Sequence, residues 1–302
     1  MERPSNGWAM REGGEILWRC RERTIRFGSR PLVMGILNVT PDSFADGGRY
    51  VTPEAAIRRG LEMAQEGVDI IDVGGESTRP GAVVTAPDEE IARVVPVIER
   101  LRRGWHGVEA PFISVDTRKA GVAEQALAAG ADIVNDVSAL TADAGMPDVV
   151  RRYRAGVVLM HMRGEPATMQ QDPRYDDVVR EVDAYLARRV TDLGMQGIDP
   201  ETLALDPGIG FGKTLEHNLQ LLAGLGVLVR QGRPVVVGLS RKSFLGKLTG
   251  RETGDRLAGS LAGLVYAALR GAQIVRVHDV KESVDAARVV AALNREPATW
   301  PG

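Results

Sequence analysis

A single cysteine, Cys20, among 302 residues excludes an internal disulfide framework and any thiolate metal cluster. Such a chain suits a reducing cytoplasm, with Cys20 expected to be a small packed residue. Histidine is scarce too: His106, His161, His217 and His278 show no local metal-ligand spacing, which argues against a zinc hydrolase. Neither sign of charge predominates. With 38 basic and 40 acidic residues the formal net charge is -2, so no global field draws nucleic acid or acidic lipid, and any anion site must be local. No apolar run approaches the ~20 residues of a bilayer span, and the opening stretch MERPSNGWAMREGG has no apolar signal region. A cytoplasmic protein with neither nucleic acid nor membrane as partner is therefore expected.

Two catalytic signatures are missing as well. There is no GxSxG. DPGIGFGKT (206–214) resembles a phosphate-binding P-loop, but GxxxxGK[ST] requires glycine where Pro207 stands. A chemistry that needs no strong protein nucleophile fits this chain better. Aromatic residues make up 5% of it, and of five phenylalanines Phe44, Phe211 and Phe244 follow apolar runs. That placement is expected to set flat apolar faces around a mouth suited to an aromatic ligand.

What is abundant is apolar surface in short runs, at 44% hydrophobic residues. The runs are 32–37, 68–73, 112–115, 132–135, 156–160, 202–205, 234–239 and 273–277. Between them lie segments of helical period, such as Val178, Val182, Tyr185, Leu186, Val190 and Leu193. Eight strand–helix units in a chain that exceeds the ~250 residues of a typical barrel predict a closed (β/α)8 TIM barrel, with an open doubly wound sheet as the rival. Ile16, Trp18 and Cys20 alternate, as do Ile25 and Phe27, which predicts a two-stranded N-terminal β-ribbon ahead of the barrel. Residues 1–14 read as a loose tail, 15–296 as the catalytic domain and 297–302 as a C-terminal tail.

The stretch LVMGILNVTPDSFADGG (32–48) shows how chemistry attaches to this frame. An apolar run buried on both faces ends in a dense cluster of small polar groups, before a helix capped by Thr52 with Pro53 at its first position. Other runs end alike: Asp72, Asp116, Asn135-Asp136, Asp206 and Ser240 all stand at C-terminal ends. In a barrel those ends form the catalytic face. Buried carboxylates are costly unless partnered, so a ring of them implies a ligand that completes the set.

The motifs GILNVTPDSFADGG (35–48), GGESTRPG (74–81), SVDT (114–117), NDVSA (135–139), MHMRG (160–164), DPGIGFGK (206–213), SRKSF (240–244) and RVHDV (276–280) together resemble the dihydropteroate synthases of folate biosynthesis. The resemblance runs from about Pro31 to Leu293. It implies a TIM barrel, usually a homodimer, that joins (7,8-dihydropterin-6-yl)methyl diphosphate to 4-aminobenzoate with Mg2+ as cofactor. By resemblance Asp206 accepts from the donor edge of the pterin, Asp116 and Asn135 bind further ring atoms, and Lys242 donates to the opposite side. Arg276, His278 and Thr78 would hold diphosphate, with Asn38 as metal ligand. The carboxylate of 4-aminobenzoate would meet the helix starting near Ser243, with Phe44, Pro80 and Phe211 packed on its ring. Asp46 and Arg79, on two loops, would contact each other. A methyltetrahydrofolate:corrinoid methyltransferase, or a non-catalytic pterin-binding paralogue, would share the aspartates without needing the diphosphate residues.

Overall fold

The computed structural model describes residues 16–40, 52–77, 84–105, 110–165 and 168–294. An antiparallel ribbon comes first: β1 (Leu17–Cys20) pairs with β2 (Arg23–Arg26) in the register Trp18 opposite Ile25. Eight parallel strands follow, β3 (Leu32–Asn38), β4 (Ile70–Gly74), β5 (Phe112–Asp116), β6 (Ile133–Asp136), β7 (Gly156–Met160), β8 (Leu203–Asp206), β9 (Val236–Gly238) and β10 (Ile274–Val277). Their order is β8-β7-β6-β5-β4-β3-β10-β9, and a parallel bridge between Leu205 and Val235 joins the two end strands. The sheet is thereby a closed barrel. Every apolar run of the sequence is a barrel strand, with ends shifted by at most two residues.

Helices cover the outside: α1 (Pro53–Glu66), α2 (Pro87–Gly104), α3 (Ala120–Ala128), α4 (Met146–Tyr153), α5 (Val178–Met195), α6 (Leu215–Ala223), α7 (Leu225–Val229), α8 (Ser243–Thr249), α9 (Leu257–Leu269) and α10 (Val280–Leu293). Their ends follow local rules. The Thr52 side chain accepts the Ala55 N–H, Pro53 opens α1, and Gly67 closes it at φ 91, a left-handed position where a Cβ would strain the chain. Helix α2 carries Asp88, Glu89 and Glu90 in its first turn and Arg102 and Arg103 in its last, matching its dipole at both ends.

The period of two along each strand divides the core. Outward side chains such as Leu37, Ile71, Val73, Val115, Leu159 and Val237 pack under the helices in one large apolar cluster. Inward ones form a second cluster at the N-terminal end of the barrel, where Met34, Ile70, Ile133, Val158, Ala204, Val236 and Ile274 meet Trp18, Cys20 and Ile25 of the ribbon. The ribbon is thus a plug. Trp18 is fully buried and its indole N–H reaches the Thr202 carbonyl at 2.8 Å. Cys20 is packed as expected; a side chain at Gly156 would press on its sulfur, and burial pushes its thiol well above the ordinary range.

Farther along, the inward column turns polar: Ile70 is followed by Asp72, Ile133 by Asn135, Ala204 by Asp206 and Ile274 by Arg276. One end of the barrel is therefore sealed by apolar packing, and the other is chemically equipped.

Candidate active site at the C-terminal mouth

Arg276 on β10 lies at the centre of this polar layer. Its Nε donates to Asp72 Oδ2 at 2.6 Å and its Nη2 to Asp116 Oδ2 at 2.6 Å, while Asn135 Nδ2 donates to Asp72 Oδ2 at 3.0 Å. Burial alone would lower the pKa of the guanidinium, but Asp72 and Asp116 outweigh it and hold the group above its ordinary value. Asp116 responds oppositely. Burial pushes its carboxyl up to about 7, with Asp72 adding to the rise against the opposing pull of Arg276. Asp72 Oδ1 and Ser114 Oγ, one layer deeper, are buried with no hydrogen-bond partner among the described residues. Unpaired polar atoms at such depth are uncommon and mark this layer as built for more than packing.

Across the mouth, Asp206 Oδ1 accepts the Gly208 N–H at 2.7 Å, and burial raises its carboxyl while Lys242 opposes the rise. Lys242 Nζ donates to the Ile209 carbonyl and lies 4.7 Å from the centre of the Phe211 ring. Burial lowers this lysine to about 8, with Asp206 resisting. The turn before it is firmly held: Arg241 adopts φ 58, its guanidinium pairs with Asp279 on two oxygens, and its N–H reaches Ser260 Oγ at 3.0 Å. Lys242 itself stands at the N-cap of α8 with no side-chain cap, and Ser243 is the first helical residue. Beside it, Ser240 Oγ takes the His278 N–H at 3.2 Å and stands 3.1 Å from His278 Nδ1, tying the end of β10 to the loop after β9.

Asn38 ends β3 next to Gly74; its Oδ1 and the Asp116 carboxylate both lie near the point where a Gly74 side chain would project, Asn38 Oδ1 at 3.6 Å and Asp116 Oδ2 at 3.9 Å. Among the described residues no three His, Cys, Asp or Glu side chains converge on a metal position. The mouth therefore gathers Asn38, Asp116, Asn135, Asp206, Phe211, Lys242, Ser243, Arg276 and His278. Phe44, Asp46, Thr78, Arg79 and Pro80 lie outside the described residues.

A model of the pterin binding enzymes matches residues 34–278 of the chain. The dihydropteroate synthase of Escherichia coli strain K12 is 47% identical over 264 residues, covering 87% of this chain and 92% of that protein. The chain belongs to the dihydropteroate synthases. Solved structures of this family agree in fold. That of Xanthomonas albilineans with 4-aminobenzoic acid superposes with a TM-score of 0.86 at 49% identity, covering 94% of this chain and 100% of its own. Its complex with 7,8-dihydropteroate gives 0.82 at 47% identity, covering 93% and 100%. The family is one of transferases, and the resemblance carried by the eight motifs is confirmed over the barrel.

The site differs from the sequence reading in three respects. Phe244 is buried in the outer core under α8 rather than turned to the mouth, because the helical turn that begins at Ser243 carries it inward. Arg276 directs two of its donor groups at Asp72 and Asp116, so it organises the carboxylates as well as facing the mouth. Asp72, placed in the polar ring at the catalytic face but given no contact of its own, is central to the cluster. A two-residue periodicity count along 68–73 would have placed it inward beneath Asp116; nothing local to its motif signals the guanidinium 204 residues away.

Proposed function

We propose that the protein condenses (7,8-dihydropterin-6-yl)methyl diphosphate with 4-aminobenzoate to form 7,8-dihydropteroate and diphosphate. The observation that carries this reading is a buried carboxylate, Asp206, and a half-buried amine, Lys242, close enough to influence each other's charge, across from the Asp72–Asp116–Asn135–Arg276 cluster. A pterin has one edge of N–H donors and another of acceptors. Asp206 accepts from the first, Lys242 donates to the second, and Asp116 with Asn135 meets the remaining ring atoms.

The reaction breaks the bond from the pterin methylene to the bridging oxygen, and diphosphate leaves with the electron pair. The lone pair of the aromatic amine then forms the new C–N bond, and the amine proton passes to solvent. An aromatic amine is neutral near pH 7, so no strong base is needed. Arg276 and His278, with Thr78, receive the leaving diphosphate; the carboxylates of Asp116 and Asp206 favour the cationic methylene as it forms. The aminobenzoate carboxylate meets the start of α8 by Ser243, with its ring on Phe211; the roles of Phe44 and Pro80 at that ring, and of Asp46 and Arg79 towards each other, are carried over from the family resemblance alone.

The donor set fits Mg2+, a hard ion that keeps few protein ligands and takes phosphate oxygens for the rest: Asn38 offers a neutral amide oxygen at the rim. When bound, the ion neutralises charge developing on diphosphate. Asn38→Ala is expected to raise the Mg2+ concentration for half-maximal rate about tenfold, while a pterin lacking diphosphate binds as before in calorimetry. Poor binding of that pterin as well would give Asn38 a structural role.

Affinity for the pterin should also peak within a narrow pH range. Asp116 accepts with both oxygens and a full charge only when ionised, so binding strengthens as pH rises through about 7. Lys242 donates fully only when protonated, so binding weakens as pH rises through about 8. Titration calorimetry of a pterin across this range tests the shape: Asp116→Asn should remove the acidic limb, and a flat wild-type profile would exclude both roles.

We place the enzyme in the cytoplasm, as a homodimer. Tyr266 and Leu269 on α9 and Val289 and Leu293 on α10 are large apolar side chains left exposed, of the kind a second copy would cover. Among the described residues no helix is long and apolar enough to cross a membrane. The deciding experiment is diphosphate release from the pterin diphosphate in the presence and absence of 4-aminobenzoate. Dependence on 4-aminobenzoate supports the synthase, and its lack points to a corrinoid methyltransferase or a non-catalytic paralogue.

A further inference from the structure

The P-loop-like lysine of DPGIGFGK has no place in the scheme above. Lys213 is 3% exposed, so its amine cannot reach a phosphate at the mouth. Its Nζ sits instead within hydrogen-bond distance of three acceptors: Phe211 O at 2.9 Å, His161 Nδ1 at 3.0 Å and His161 O at 3.3 Å. An ammonium has three N–H donors, and here each has an acceptor; burial lowers this amine to about 7 against the pull of Asp206, and above that pH the neutral amine keeps two of the three. The imidazole can accept because burial, reinforced by the nearby charges of Lys213 and Arg163, lowers His161 to about 3 and keeps it neutral.

His161 is a fixed point. It is the first residue past β7, its N–H donates to Asp206 O at 3.0 Å, and its ring meets Tyr185 edge to face at 5.0 Å. The loop 207–213 is folded over it closely: Gly208 has φ 68, and a side chain there would collide with the His161 carbonyl. Within the loop, Phe211 N donates to Gly208 O at 3.1 Å, so the turn that displays the Phe211 ring is closed on one side by its own backbone and on the other by Lys213.

We propose that Lys213 is a positioning residue for the second substrate, fastening the Phe211 turn to His161 so that the Phe211 ring stands where the aromatic amine must lie. This rests on the reading that Phe211 faces 4-aminobenzoate. Asp206 is anchored in β8 and by the Gly208 N–H and meets Lys213 only through charge, with no hydrogen bond between them, so losing the Lys213 hydrogen bonds falls on the Phe211 side more than on the pterin side.

The test measures KM for each substrate separately, with thermal melts as a control for folding. Phe211→Ala is the reference, expected to raise KM for 4-aminobenzoate about tenfold. Lys213→Met, of similar length without the donors, is expected to raise the same KM about as much, with KM for the pterin diphosphate changed less than about threefold. Equal changes in both KM values, or a lowered melting temperature with both KM values unchanged, would overturn the proposal. An unchanged KM in Phe211→Ala would instead remove the site reading, and this role for Lys213 with it. If Lys213→Met does not fold, His161→Leu, which keeps the carbonyl but withdraws the ring acceptor, decides by the same split between substrates: a smaller rise confined to 4-aminobenzoate supports the tether, and its absence refutes it.

Discussion

Asp206→Ala is expected to abolish measurable pterin binding and, with it, synthase activity. Asp206 is 6% exposed, so the edge of a pterin that docks on it leaves water behind. With the carboxylate removed, at least two N–H donors of the ring are desolvated with no acceptor. An unpaired buried polar group costs about 1–3 kcal/mol, so two weaken binding at least about thirtyfold. A second loss adds to this, since Lys242 would face the pterin without the anion that now resists the lowering of its pKa by burial. The Gly208 N–H also loses its acceptor, so a melt must accompany the binding assay. Wild-type pterin affinity in a folded Asp206→Ala protein would mean that the ring lies elsewhere in the mouth.

Arg276→Met should be the most destabilising single change in the barrel mouth. The guanidinium separates Asp72, fully buried, from Asp116, and methionine keeps the apolar stem while deleting the charge. Breaking one side of a buried ion pair costs about 3–5 kcal/mol, because the charge left behind stays desolvated. The penalty depends on pH, with a definite sign. Even with Arg276 present, the folded-state pKa of Asp116 is raised to about 7, above its unfolded value of about 3.9, so the folded state binds more protons than the unfolded one between them. This group's cost is absent below the unfolded pKa and complete above the folded one. Removing the cation enlarges it. The difference in unfolding free energy between wild type and Arg276→Met should therefore be small near pH 4 and grow towards pH 8, and Asp72→Asn in the same chain should recover part of it. A difference independent of pH would assign the effect to lost packing.

Most of the architecture was legible because its signals are local. A strand of a closed barrel buries both faces, so each reads as an apolar run, and alternation with helical period specifies parallel connections. The Thr52-Pro53 start of α1 and the alternating residues of the ribbon are equally short-range. The family was legible for another reason: the candidate site residues occur in contiguous motifs such as DPGIGFGK and SRKSF, whose combination points to one family. Phe244 shows the limit. It follows an apolar run just as Phe211 does, yet one is core and the other faces the mouth, and only the rotation of α8 distinguishes them.

By itself, then, the sequence determined the eight strand–helix units, the end of each strand that carries chemistry and the residues available there, since all of these follow from periodicities and spacings within about forty residues. Tertiary structure alone decided which of those residues touch. Arg276 reaches Asp116 across 160 residues and Asp72 across 204, Lys213 turns inward to His161, and the ribbon becomes the plug of the barrel. The reason is physical: barrel closure brings β10 beside β3 and directs every second side chain into one small volume, and no property of a strand taken alone states which charges it will find there.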